Sequence, residues 1–160
     1  MTSNNTVPAN VIDFINLEAD LLDHKSYEDW LQLWTDDGLY IVPVDTQETD
    51  FANTVNFAYD DAEMRRLRTA RLSGGESVSS VALDKTVRSV SRFRLLEETE
   101  TSVRVRCAMT LNEVRAGRLL TYPGDVEFEL VKDAQGLRIR KKVVRLLHAG
   151  SHLATVAFIF

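Results

Sequence analysis

Hydrophobic positions along this chain change period near residue 84. Before that point the apolar residues recur at helical spacing. Val11, Phe14, Ile15, Leu17, Leu21 and Leu22 predict a first helix, with Pro8 in its opening turn and Asp23-His24-Lys25 at its end. Ser26 and Asp29 form an imperfect capping box for a short second helix that places Trp30, Leu33 and Trp34 on one face. Thr35-Asp36-Asp37-Gly38 has turn chemistry, and Leu39 to Val42 reads as a short strand closed by Pro43. Residues 44–56 read as a loop. A third helix is expected to start near Asp60, capped by that residue with Glu63 three positions on, and to run through MRRLRTARL. SGGESVSS, residues 73–80, reads as a flexible loop, and residues 1–6 as a loose tail.

From residue 84 onward the period is two. Val103, Val105, Cys107, Met109 and Leu111 point to one face, and Arg104, Arg106, Ala108, Thr110 and Asn112 to the other. Val126, Phe128 and Leu130 alternate with Glu127 and Glu129, and Leu137 and Ile139 with Arg138 and Arg140. ATVAFIF, residues 154–160, predicts one more strand. Helices first and a one-faced sheet afterwards predict an α+β domain over residues 1–160: three N-terminal helices packed into a curved antiparallel sheet.

Composition narrows the function. The 160 residues are 44% hydrophobic, a globular share, and the net charge of −5 with pI ≈ 5.2 excludes the basic balance of a nucleic-acid binder. No apolar run reaches membrane-spanning length and the N-terminus is polar, so a cytoplasmic protein is expected. The lone Cys107 excludes an internal disulfide and a cysteine-only zinc site.

The candidate chemistry reads mostly as structure. Asp36 and Asp37 could supply a general base, yet lie where aspartate is favoured for local hydrogen bonds. Trp30, Trp34 and Tyr40 read as core before they read as a stacking platform. His148 and His152 are four apart but flank Ala149-Gly150-Ser151, a break without an evident third ligand. His24 sits at a helix end, where it contributes a charge interaction. Cys107, on an apolar strand face, reads as a small hydrophobe. No catalytic, cofactor or metal residue is therefore expected. Arg88, Arg92, Arg94, Arg104, Arg106, Arg138 and Arg140 are expected on the outer face with Glu127 and Glu129, a pattern that fits either a subunit interface or a solvated surface.

Glu18-Ala19-Asp20-Leu21-Leu22-Asp23, then Tyr27, Trp30, Leu33, Asp37, Tyr40 and Pro43, resemble the opening of the small (β) subunit of bacterial aromatic-ring-hydroxylating, Rieske-type dioxygenases. DKTVRSVSRFRLL (84–96) and RIRKKVVRLL (138–147) resemble later strands of that family. The resemblance implies a cone-shaped, nuclear transport factor 2-like fold shared with scytalone dehydratase and ketosteroid isomerase. It further implies a non-catalytic platform for an α subunit that carries the Rieske [2Fe–2S] cluster and mononuclear iron, in an α3β3 assembly. A Rieske cluster needs two Cys and two His, so one cysteine cannot hold it here. The chain departs from the family at 73–85: SGGESVSS replaces a longer loop containing Trp and Pro, and Asp84-Lys85 stands where Ser-Arg is common. In the enzymatic relatives of the fold the catalytic base would fall on Val42 and the active-site tyrosine near Glu18. The alternatives are a free-standing dehydratase or isomerase and a small-ligand binding protein. An open pocket with convergent acids would favour the enzyme, and an interior filled by apolar side chains the subunit. Arg104 and Arg106 lead the interface candidates, with Arg92, Arg94, Arg138 and Arg140 beside them.

Overall fold

The computed structural model of the protein describes residues 5–73, 85–148 and 159–160. The elements run α1 (Ala9–Asp23), α2 (Tyr27–Gln32), β1 (Trp34–Pro43), a 3₁₀ turn (Phe51–Asn53), β2 (Asn56–Asp60), α3 (Ala62–Ser73), β3 (Lys85–Glu98), β4 (Ser102–Arg115), β5 (Arg118–Asp133) and β6 (Gly136–Leu146). The six strands form one sheet in the order β2-β1-β6-β5-β4-β3. The pairings are antiparallel except β1 with β6, which run parallel. The expected α+β architecture is what forms; the parallel pairing is an addition that the one-faced pattern did not reveal.

Helix α1 buries Val11, Ile15, Glu18, Ala19 and Leu22, a stripe at the helical repeat, while Leu17 stays exposed. Lys25, in the left-handed region at φ 56°, ends it, with the Ser26 N–H on the Leu21 carbonyl at 2.9 Å. Asp23 then fastens α1 to β3: its carboxylate accepts the Arg88 backbone N–H at 2.9 Å, the Thr86 hydroxyl at 3.0 Å and the Arg88 guanidinium. Arg88 is thus corrected. It points inward and is buried, because an acid at the end of α1 faces its strand position.

The inward residues of β4 and β5 are those expected: Val103, Val105, Cys107, Met109, Leu111, Val126, Phe128 and Leu130 are all buried. They meet Trp30, Trp34 and Tyr40, three aromatic rings in mutual edge contact with centroids 5.4–6.5 Å apart.

Four local expectations are corrected. Thr35 to Gly38 are not a turn. They are a wide bulge inside β1, which advances from Trp34 to Leu39 while β6 advances only from Ile139 to Lys141. The carbonyls freed by the bulge are met by the buried Arg65 of α3, whose guanidinium donates to Gly38 O, to Thr35 O at 3.2 Å and to Asp60 O at 3.3 Å, and lies over Trp34 at 4.3 Å. Trp34 consequently opens β1 rather than extending α2. The cap of α3 is Asp61, whose carboxylate takes the Met64 N–H at 2.9 Å. Asp60 is instead the buried partner of Arg68, with oxygens 2.5 and 3.0 Å from its Nε and Nη2. Finally, residues 44–56 are not all loop. They hold the 3₁₀ turn, which presses Phe51 on Ile41 and Val143 of the outer sheet face, and they lead into β2. Residues 1–4 of the tail expected at 1–6, 74–80 of the loop expected at 73–80 and 154–158 of the strand expected at 154–160 lie outside the described residues. Ile159 and Phe160 are buried but carry no strand pairing.

Arg65→Met should lower unfolding stability by about 2–4 kcal/mol, since it leaves buried carbonyls without a donor, and Arg65→Lys should recover only part because an ammonium cannot fork. Urea midpoints of the three proteins check this. Gly38→Ala should cost about 1–3 kcal/mol, because a β-carbon there meets Trp34 Cε3 at 2.8 Å and Ile139 O at 3.0 Å.

Candidate functional site

Two regions carry the polar chemistry of the described residues: the interior of the cone and the outer face of the sheet. The described side chains of the interior are largely buried. At the centre is an ion pair between Glu18 of α1 and Lys142 of β6, both buried. Glu18 Oε1 also accepts the Trp30 indole N–H at 3.3 Å. Lys142 donates further to the backbone oxygen of Phe160, and its ammonium lies 5.5 Å from the Phe128 ring and 5.9 Å from the Tyr40 ring. Burial pulls the Lys142 pKa below the ordinary lysine range, opposed by the Glu18 charge. Tyr40 accepts the Phe160 N–H on its hydroxyl at 2.9 Å, and burial pushes its phenol well up. Val42, at the position of the isomerases' base, is buried hydrocarbon. The described part of the interior is therefore not wholly apolar. Lys142 faces inward because β6 carries an extra residue between Ile139 and Lys141, which shifts the alternation by one.

The outer face carries the arginines. Arg104 bridges Glu127 at 2.9 Å and Glu97 at 3.4 Å, Arg140 pairs with Glu129, Arg138 with Asp133 at 3.0 Å, and Arg92 with Asp125. Arg92 itself has φ 54° at a bulge in β3. Arg94 and Arg106 stand directly opposite each other across β3 and β4, both exposed, and neither makes an ion pair among the described residues. A depression of ≈ 320 Å³ lies on this face between Arg104, Glu127, Glu129, Lys141 and Val143. Such a surface can recognise charge and hydrogen-bonding groups on a partner.

The remaining candidates separate. Asp36 and Asp37 project from the bulge into solvent, His24 is exposed with its Nδ1 2.8 Å from Asp20 O, and His148 is exposed while His152 lies outside the described residues. Among the described residues no three His, Cys, Asp or Glu side chains converge, and no helix is long and apolar enough to cross a membrane.

Residues 17–150 match the family model of the ring hydroxylating beta subunit. The chain belongs to the ring-hydroxylating β-subunit family. It is 30% identical over 140 residues to the small oxygenase component of the p-cumate 2,3-dioxygenase system of Pseudomonas putida, covering 84% of this chain and 76% of that one. It is 29% identical over 150 residues to the 2-halobenzoate 1,2-dioxygenase small subunit of Burkholderia cepacia, covering 90% and 91%. Among solved structures it superposes on the β subunit of benzoate 1,2-dioxygenase from Burkholderia mallei with a TM-score of 0.80 at 18% identity, over 98% of this chain and 100% of the other. The expected cone fold of this family is the fold observed.

Within this β subunit, sequence reasoning passed over Arg65 and the Glu18–Lys142 pair. Glu18 offered a signal, since it lies on the apolar stripe of α1 seven residues after Val11. Lys142 offered none, because the bulge hides its side.

Two outcomes follow. Glu18→Leu alone should cost about 3–5 kcal/mol by leaving Lys142 uncompensated, whereas Glu18→Leu with Lys142→Met should return to within about 2 kcal/mol of the parent in urea titrations. Burial pushes the Cys107 thiol up to about 12, so at pH 8 only about one part in 10⁴ is thiolate. A disulfide reagent should find no thiol in the native protein and one after denaturation.

Proposed function

We propose that this β subunit is a structural, non-catalytic component that supports a Rieske/iron α subunit in the dihydroxylation of an aromatic compound. It works as a cytoplasmic trimer within an α3β3 assembly. The observation that carries the reading is membership of the β-subunit family, and the burial of the described interior side chains supports it. The two curated relatives act on p-cumate and a 2-halobenzoate, which favours an aromatic acid as the substrate class. Cofactors belong to the α subunit in this reading, and the single cysteine of the chain accords with it.

Docking is assigned to the outer sheet face. Arg94 and Arg106 are like charges in direct cross-strand opposition, an arrangement that costs stability unless an anion lies over both. Acidic groups of a neighbouring subunit would neutralise them and fix register. Arg92, Arg104, Arg138 and Arg140, each already paired within the chain, form the surround of that contact.

Co-expression with a Rieske-type α subunit should yield a stable complex whose ring dihydroxylation is lost when the β subunit is omitted, while the β subunit purified alone should retain no stoichiometric iron. Arg104→Glu with Arg106→Glu should weaken assembly by light scattering without changing the unfolding free energy of the isolated chain, from urea titration, by more than about 1 kcal/mol. An unchanged oligomer in the double variant would show these arginines to be solvated surface.

A further inference from the structure

The outer face of the sheet changes character along its strands. At one end it is dense in charge, from the row of Arg94, Arg106 and Glu127 to the row of Arg104, Glu129 and Lys141. At the other end three successive cross-strand rows of β3, β4 and β5 hold one charge between them. These rows are Lys85 with Val114 and Leu119, Val87 with Asn112 and Thr121, and Ser89 with Thr110 and Pro123. Val87, Val114 and Leu119 are 62%, 44% and 66% exposed. Val114 and Leu119 are direct cross-strand neighbours and Val87 is diagonal to Val114, so the three side chains make one patch. Leu147, 73% exposed at the end of β6, donates its N–H to the Pro123 carbonyl at 3.0 Å and so stands beside it. A sheet face that meets only water carries polar and charged side chains at such positions, as the other half of this face does. Contiguous exposed hydrocarbon with charge depleted is the composition of an interface core.

What covers the patch is set by the charges around it. Lys85 borders it on β3 and Arg118 adjoins Leu119, while beyond the Arg92–Asp125 pair Arg94 and Arg106 close the far end. None of these four cations makes an ion pair among the described residues. Two copies of this face laid on each other would set cation on cation whether their strands ran alike or opposed, a costly juxtaposition. A surface of different sequence, uncharged in the middle and acidic at its ends, fits in both respects.

We infer that the uncharged half of the outer sheet face, centred on Val87, Val114 and Leu119, is the core of the contact with the α subunit. That subunit lays apolar side chains on the patch and carboxylates over Lys85 and Arg118 at one end and Arg94 and Arg106 at the other. The assignment rests on the docking proposed for this face and narrows it: the arginines form the rim and the hydrocarbon the centre. Burial of the centre supplies affinity, and the rim selects partner and register.

The test compares the isolated chain with the complex formed on co-expression with a Rieske-type α subunit. Hydroxyl-radical oxidation of the unaltered proteins, read by mass spectrometry, should fall at least about fivefold at Val87, Val114 and Leu119 in the complex. Val87→Glu with Leu119→Glu should weaken the complex at least about thirtyfold on dilution while leaving the melting temperature of the isolated chain within a few degrees, since both side chains are exposed. Should that variant fail to fold, Val87→Thr with Leu119→Thr, which keeps strand-favouring residues, should still weaken the complex about fivefold. A complex in which oxidation is unchanged, or which the variants form within about threefold of the parent, overturns this inference and leaves the docking reading standing. Protection that appears in the isolated chain as its concentration rises shows a second copy on the patch and also overturns it. Failure of the unaltered chain to form any complex overturns both.

Discussion

The pairing of Glu18 with Lys142 is the constraint on which the rest of the interior depends. A buried ammonium and a buried carboxylate each demand partners, and every element near them is placed to provide one. Trp30 brings α2 against α1 through its indole N–H. Phe160 is drawn in by its oxygen, and its N–H in turn orients the Tyr40 hydroxyl on β1. Helices, sheet and Phe160 are thereby fixed in one arrangement by direction as well as by hydrocarbon contact. Apolar packing alone would permit small slides of α1 along the sheet. A hydrogen-bonded charge pair does not.

A second polar lock works from outside that core. Arg65 fills the opening that the β1 bulge makes in the sheet, and Arg68 with Asp60 closes the same corner. Burial pulls the Arg65 pKa down, yet arginine remains charged at any ordinary pH, and its fork meets several carbonyls at once. Lysine could not do both. The stretch Thr35-Asp36-Asp37-Gly38 therefore keeps its acids in solvent for a structural reason: the backbone, rather than the carboxylates, is what α3 recognises there.

Much of the fold was legible. The alternation in β4 and β5 named the inward residues without error, because an unbulged antiparallel pair keeps period two along its whole length. The helical stripe of α1 was equally plain. What stayed hidden shares one cause. At Thr35 to Gly38, near Arg92 and at Arg140 a strand carries extra residues, and the additions near Arg92 and at Arg140 exchange inside for outside downstream. Hence strict alternation counted from Ile139 would turn Lys142 outward, and a bulge rich in Asp and Gly was read as a turn. Arg88 failed for a different reason: its outward reading counted alternation correctly in kind, but only a tertiary contact with Asp23 shows which face an arginine takes. The other arginines read as outward do lie on the outer face, since alternation fixes direction even where it is silent about partners.

The sheet edges bear on how such a chain exists before it meets anything else. Among the described residues β3 is an edge of 14 residues, long enough to template another strand, and β2 is an edge of only 5. A long, flat edge invites intermolecular strand addition. On β3 that addition is frustrated. The register breaks twice, Arg92 is turned into a left-handed kink, and Lys85, Arg92 and Arg94 set positive charge along the strand. The same kink and charges that would meet a partner by side chain deny it a backbone ladder. The described edge is thus protected by side chains and a kink rather than by a covering strand.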